Sequence, residues 1–396
     1  MKEKRAKITE IDLVRGFAMM GVLMVHATSF ATVQMRGDDF FGLYNFLNIF
    51  SKVGTTTFIF LSSFVLFYNY YHRPFRGRDL VRFFKNRLMY ILVPYVLFSV
   101  LFFTVAWYHR GGESDLAAML ESFWPKLATG KSYTHLYFIF INIQFYVLFP
   151  LVLMLLKRFR GFASVCVLVG IVLQWLFYIG NDAWWDVTNR NSWSLSFLSY
   201  YFLGAWFGIY YERVKAWLTS AKEAARPARR RLGWITLWAV WLGAALIHIG
   251  LRYNQRLLGM EYHPLLYDAF WNVHTLTTAV VMLQVALLLG NKRAWWLKGF
   301  RQLGVYSFGV YLVHPLVLLV YRDYPPQTEN SWLLLAWYAG GFVSALAVSY
   351  IVVYSISRLG SWTWIFFGKL PGNLRTGRTP SPPVPGPGQP VTKVSS

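Results

Sequence analysis

A chain of 396 residues is long enough for two or three soluble domains, but 56% apolar and 19% aromatic residues against 14% charged ones exclude an ordinary soluble composition. The net charge of +22 raises nucleic-acid binding, which fails because the basic residues recur in alternate connections rather than lining one face. A single cysteine, Cys166, excludes both a disulfide framework and a CxxC metal site.

Taken in chain order, ten apolar runs are each long enough for a helix to cross the hydrocarbon core, which needs about 20 residues. They lie near 11–31, 51–71, 88–108, 135–156, 163–180, 194–211, 232–250, 273–290, 303–321 and 332–354. The first lacks a small-x-small cleavage site and reads as a retained helix. The expected fold is an all-α polytopic membrane protein of about ten transmembrane helices over residues 1–371. The Pro-rich segment 372–396 has too little apolar content to fold and is expected to be a disordered cytoplasmic tail.

Alternate connections differ in Lys and Arg: one set, with both chain ends, holds 29 of the 39, the other holds nine when Lys52 at the edge of the second run is counted with it, and Arg15 sits inside the first run. That bias sets orientation, so both termini are expected in the cytoplasm and the protein in the plasma membrane, with anionic lipids among its partners and no nucleic acid. Trp184 with Trp185, and Trp295 with Trp296, fall at run ends as interfacial anchors.

Ionisable groups inside a span are costly to bury, so each is a functional hypothesis. The first run carries Asp12, Arg15 and His26. Arg15 and His26 are eleven residues apart, which places them within about 20° of one helical face and ~16 Å apart along the axis. Two readings fit equally. Arg15 binds an anionic donor near the inner surface while His26 moves a proton on an acceptor hydroxyl, or Arg15 snorkels to headgroups and His26 bonds a neighbouring helix. Gly16 and Gly21 would let another helix approach closely.

The loop RPFRGRDLVRFFKNR offers Arg73, Arg76, Arg78, Arg82, Lys85 and Arg87 to a phosphate-rich ligand, with Arg82 and Arg87 nearest the helix, or serves topology alone. RPARRR, after the sixth run, reads as topological. His314 follows Tyr311 by one turn and precedes Pro315; packing is the first expectation for it, a place beside His26 the second. His135, His248 and His274 lie near run ends and read as interfacial, with His135 the candidate for acceptor binding. No HxxxH or HxxE pair shares a run, so no metal is expected.

The stretch from Ile11 to His26 resembles the opening of acyltransferase family 3, integral membrane O-acyltransferases whose first helix carries Asp-x-x-Arg and then Arg-x10-His. GTTTFIFLSSFVLFY is similar to the family's Gly-x3-Phe-Phe-x-Leu-Ser-Gly-Phe segment, with Ser63 where glycine is common. FFKNRLMYILVPY resembles the entry to the third helix, ending at Pro94 and Tyr95. The fourth helix matches at Gln144, Phe145, Tyr146 and Pro150, and GVYSFGVYLVHPLVL resembles the ninth. The ordered set of five carries the resemblance. Tyr137, Asn142 and Ile143 stand where many glycan O-acetyltransferases of the family have Trp and Glu, so a carboxylate from that helix has no counterpart here.

The resemblance implies a stand-alone member, without a hydrolase-like domain, that moves an acetyl or other short acyl group to a hydroxyl of an exopolysaccharide or other surface glycan, including those of biofilms. It implies His26 and Arg15 as catalytic residues; Arg82, Lys85 and Arg87 as acyl-CoA ligands; and Asp12, Tyr146, Tyr311 and His314 in support. No cofactor is expected to stay bound; acyl-CoA, as acetyl-CoA, is a co-substrate. The acceptor is a surface glycan or lipid-linked sugar, held by outer loops such as 107–134 and 252–272, and polysaccharide-synthesis proteins are possible partners. A transporter or flippase of a lipid-linked glycan, and a scaffold for a polysaccharide synthase, are the rival readings.

Overall fold

The computed structural model describes residues 6–75, 77–109, 111, 115–219 and 227–370. Arg76, Arg226 and the tail expected from residue 372 lie outside the described residues. In chain order the helices are α1 (Glu10–Thr28), α2 (Ala31–Gln34), α3 (Phe41–Phe50), α4 (Gly54–Tyr70), α5 (Gly77–His109), α6 (Leu116–Thr129), α7 (Tyr137–Arg158) and α8 (Arg160–Gly180). They continue with α9 (Leu198–Ile209), α10 (Tyr211–Thr219), α11 (Pro227–Leu258), α12 (Pro264–Leu289), α13 (Trp295–Arg322), α14 (Ser331–Ser357) and α15 (Trp364–Phe367). No strand occurs among the described residues. Inside a bilayer this follows from the need to satisfy every backbone group within the segment.

Among the described residues, nine helical stretches are long and apolar enough to cross a membrane, one pooling α1 with α2 and one pooling α3 with α4. The sixth expected crossing is shorter: Ser194–Ile209, a 3₁₀ turn leading into α9. It is well placed nonetheless. It runs parallel to α4, with the Ser63 hydroxyl donating to the Tyr201 carbonyl at 2.5 Å and the Tyr68 and Tyr211 rings meeting 5.3 Å apart beyond its far end. Gly204 and Gly208 allow this fit, since a Cβ at either would come within 2.3 Å and 2.5 Å of the Phe60 and Phe64 carbonyl oxygens. The short helix therefore matches the depth of α4 and joins the nine longer stretches among the described residues.

Helix boundaries correct three expectations. The basic segment expected as a loop before the third run is helical from Gly77, so α5 has 33 residues and is ~50 Å long, well beyond a hydrocarbon core of about 30 Å. The expected outer loop 252–272 is mostly helix, leaving residues 259–263 between α11 and α12. In 107–134, α6 fills the middle. Hydropathy trims charged turns from a span, whereas the backbone keeps its hydrogen-bond ladder past the bilayer edge.

The first and last described segments share one face. The Tyr68 hydroxyl donates to the Ala6 carbonyl, and Gly368, at φ +64°, sits where a Cβ would come within 2.7 Å of the Tyr90 carbonyl oxygen. This is called the terminal face below. Opposite the packed core, α8 and α11 present Leu168, Val172, Leu176, Ile235, Leu242 and Leu246 as exposed side chains, a surface that lipid chains solvate.

Candidate functional site

Two parallel helices carry the centre. Gly304 of α13 lies so close to α1 that a Cβ would be 1.6 Å from the Asp12 carbonyl oxygen, and one at Gly16 would be 2.1 Å from that of Phe300. Only hydrogen fits at these positions. Ten residues beyond Gly16 stands His26, and ten beyond Gly304 stands His314, so two helices rising in step bring the imidazoles together. Their ring centroids are 5.0 Å apart, edge to face. Next to His314 lie His135, at 5.8 Å, and Tyr311, whose hydroxyl donates to the His135 carbonyl. His135 and His314 are 1% and 0% exposed. His314 Nδ1 lies 3.1 Å from the Val310 carbonyl, and among the described residues its Nε2 and both ring nitrogens of His135 have no partner.

His26 is half-buried and lines a cavity of about 320 Å³ with Thr55, Tyr137, Tyr311, Lys52 and Arg252. Its backbone is pinned, because Arg322 donates to the His26 carbonyl and stacks 3.9 Å from the Phe30 ring centroid. Among the described residues, no carboxylate lies within ion-pair distance of the His26 ring. Tyr137 and Asn191 join this cavity to a wider one of about 820 Å³ that is also walled by Trp107, Lys126 and Tyr133. Segment 190–194 is fixed on α7 by Gln144, which donates to the Ser192 carbonyl and accepts from the Ser194 N–H, each at 2.9 Å.

Toward the terminal face lies a third cavity, about 490 Å³, lined by Arg15, Arg87, Lys369, Asn142, Tyr146 and Tyr311 among others. Among the described residues, no carboxylate lines it. Asp12, 7% exposed, accepts from Lys7 at 2.8 Å and Arg15 at 3.2 Å, which anchors the base of the Arg15 side chain's reach. The Arg87 guanidinium stands 5.8 Å from the Tyr146 ring centroid, and the Lys369 ammonium the same distance from that of Tyr90. Pro94, Pro150 and Pro315 each lie inside a helix and deny an intrahelical donor to the carbonyl four residues earlier. Those residues are Tyr90, Tyr146 and Tyr311, and all three line this cavity.

Tyr311 thus walls both the cavity reached by Arg15 and the one containing His26. Of the residues singled out in the sequence, Arg15, Arg87, Tyr146 and Tyr311 line the terminal-face cavity, and His26 and His248 the next one; Asp12 and His314 stand directly behind them. Arg82 and Lys85 are exposed on α5 and line none of the three cavities. His135 corrects the expectation of an interfacial residue, being enclosed by Phe102, Tyr133, Tyr311 and His314. His248 and His274 correct it likewise: they are 1% and 0% exposed, with their Nδ1 atoms 3.4 Å apart. Missed by sequence reasoning were Lys52, Arg252, Arg322 and Lys369. Lys52, Arg322 and Lys369 lie at or just beyond helix ends and Arg252 just past the expected end of its apolar run, where positive-inside bias or snorkelling already accounts for a cation.

A family model described as an acyltransferase domain matches residues 8–354, a stretch that includes Arg15, His26, Arg87 and His314 and ends before Lys369. A Staphylococcus epidermidis protein named "Probable poly-beta-1,6-N-acetyl-D-glucosamine export protein" is 25% identical over 328 residues, covering 78% of this chain and 81% of the relative. A protein of the same name from Staphylococcus aureus strain MSSA476 is 25% identical over 283 residues, covering 67% and 69%. No solved structure matches the chain. The chain belongs to the acyltransferase 3 family of multi-pass membrane proteins.

Proposed function

We propose that this protein transfers an acetyl or other short acyl group from acyl-CoA to a hydroxyl of an extracytoplasmic glycan, across the plasma membrane. The observation that carries it is Tyr311, the common wall between a cation-lined cavity and one that presents an imidazole. On this reading the terminal face, rich in Lys and Arg, is cytoplasmic. Arg15 and Arg87 hold the phosphates of the donor, with Arg82 and Lys85 meeting those outside the cavity, and the thioester reaches past Tyr311. His26 takes the proton of the acceptor hydroxyl as its oxygen attacks the thioester carbonyl. The C–S bond breaks, the ester forms, and the coenzyme A thiolate recovers the proton. His314 and His135 pack behind His26 and set its ring, so His135 serves the acceptor through its neighbours rather than by touching it.

The relatives' printed name favours a second reading, export of a hexosamine polymer, and also points to such a polymer as an acceptor class. Purified protein in lipid, given labelled acetyl-CoA and N-acetylglucosamine oligomers, separates them. Release of coenzyme A with label on the glycan, lost in His26→Ala, is expected. Glycan movement into vesicles with no acyl transfer would establish export instead, and unchanged glycan modification in cells carrying Arg15→Ala and His26→Ala would establish a scaffold.

A further inference from the structure

The cavity around His26 is charged in a way that acyl transfer alone does not require. Its wall carries Lys52 and Arg252, and Asp268 is the only carboxylate among the lining residues. Asp268 is already taken, by Arg190 at 2.6 Å. One turn beyond Arg252, Arg256 donates to the Asn45 and Asn48 side-chain oxygens at 3.0 Å and 3.2 Å, neutral partners that leave its charge uncompensated. Lys52 has no carboxylate partner among the described residues. Arg252 lies 4.1 Å from the Tyr267 ring centroid and donates one NH to Gln255 at 2.7 Å, while its Nε is buried with no acceptor among the described residues. Four cations and one carboxylate thus face or adjoin a partly open volume of about 320 Å³. Clustered like charges near a low-dielectric wall repel, and an unmet guanidinium N–H is costly, so the arrangement is completed by an anion.

We infer that the cavity holding His26 is an anion-binding acceptor subsite, so that the acceptor carries a carboxylate or phosphate close to the hydroxyl that is acylated. This rests on the acyltransferase reading and narrows its substrate class. The same cations repel a free ammonium, so a de-N-acetylated sugar is a poor occupant. Two sources supply the chemistry: a sugar acid within the glycan, or the diphosphate of a lipid-linked sugar.

Equilibrium binding to the full-length protein in neutral-lipid nanodiscs tests this without turnover. The probes are a glucuronate-containing oligosaccharide, the same oligosaccharide with its carboxyls reduced, an N-acetylglucosamine oligomer, and a short polyprenyl diphosphate sugar. One anionic probe is expected to bind at least about tenfold more tightly than the neutral ones, with affinity falling as salt rises. Tighter binding of the glucuronate probe identifies a sugar acid, and tighter binding of the diphosphate identifies a carrier. Lys52→Gln, at an exposed turn position, and Arg252→Gln are each expected to erase the preference, and Lys52→Arg to restore it. Equal binding of charged and neutral probes, no binding of any probe, or a preference that survives both Gln variants overturns the inference. Coenzyme A release is measured separately, so a failed anion site leaves the acyltransferase reading standing, and absent release with intact anion binding does the reverse.

Discussion

The two cavities that meet at Tyr311 differ in how their cations are held. Toward the terminal face, Arg15 is tethered to Asp12, and Arg87 and Lys369 lie near tyrosine rings, a setting that keeps charge in place and leaves it free for a large polyanion. Around His26 the cations are unmatched and share their wall with an imidazole that no carboxylate engages among the described residues. On the proposed reading the first cavity holds the donor, and the second holds the acceptor and hosts the chemistry. What joins them is the seam of α1 and α13, closed by glycines at one end and by histidines at the other.

The comparison breaks most sharply at His26. His26→Ala is expected to lower kcat by about 10²–10⁴-fold, the usual contribution of a positioned general base, while acyl-CoA affinity stays within twofold. Single-turnover acyl transfer and equilibrium donor binding check this; equal losses in both would place His26 in the binding cavity's role. Next comes the seam. Gly304→Ala puts a methyl group into the Asp12 carbonyl, a clash of backbone against backbone, and is expected to cost about 3 kcal/mol, read as a lower Tm in detergent. An unchanged Tm would mean that the two helices are not held at this separation.

Arg87→Ala sharpens the distinction from the other side. Loss of one charge-assisted contact is expected to raise KM for acyl-CoA about tenfold with kcat unchanged, measured by coenzyme A release over donor concentration. The smallest effect falls on Arg82→Ala and Lys85→Ala, exposed on the same helix, where solvent screening limits the change in KM to about twofold. If these two matched Arg87→Ala, the donor phosphates would lie along the exposed face of α5 rather than in the cavity.

Much of this protein was legible in one dimension because the bilayer imposes one-dimensional rules. Apolar runs of fixed length and alternation of basic connections are both local, and the runs yield the apolar crossings found among the described residues. The Arg15 to His26 stripe was also readable, since helical spacing alone aligns those side chains. Helix ends were not, because α5 and α11 continue through charged turns that hydropathy assigns to loops.

Only the tertiary structure decided which helices meet. That His314 and His135 stand by His26, that Tyr311 faces two cavities, and that Lys52 and Arg252 share a wall with the imidazole all depend on contacts between segments hundreds of residues apart. The apolar faces of the helices do not encode such pairings, since lipid and another helix offer similar solvation. The choice is made by close-fitting glycines, as at Gly16 and Gly304, and by polar groups that must find one another, and both act only once the helices are side by side.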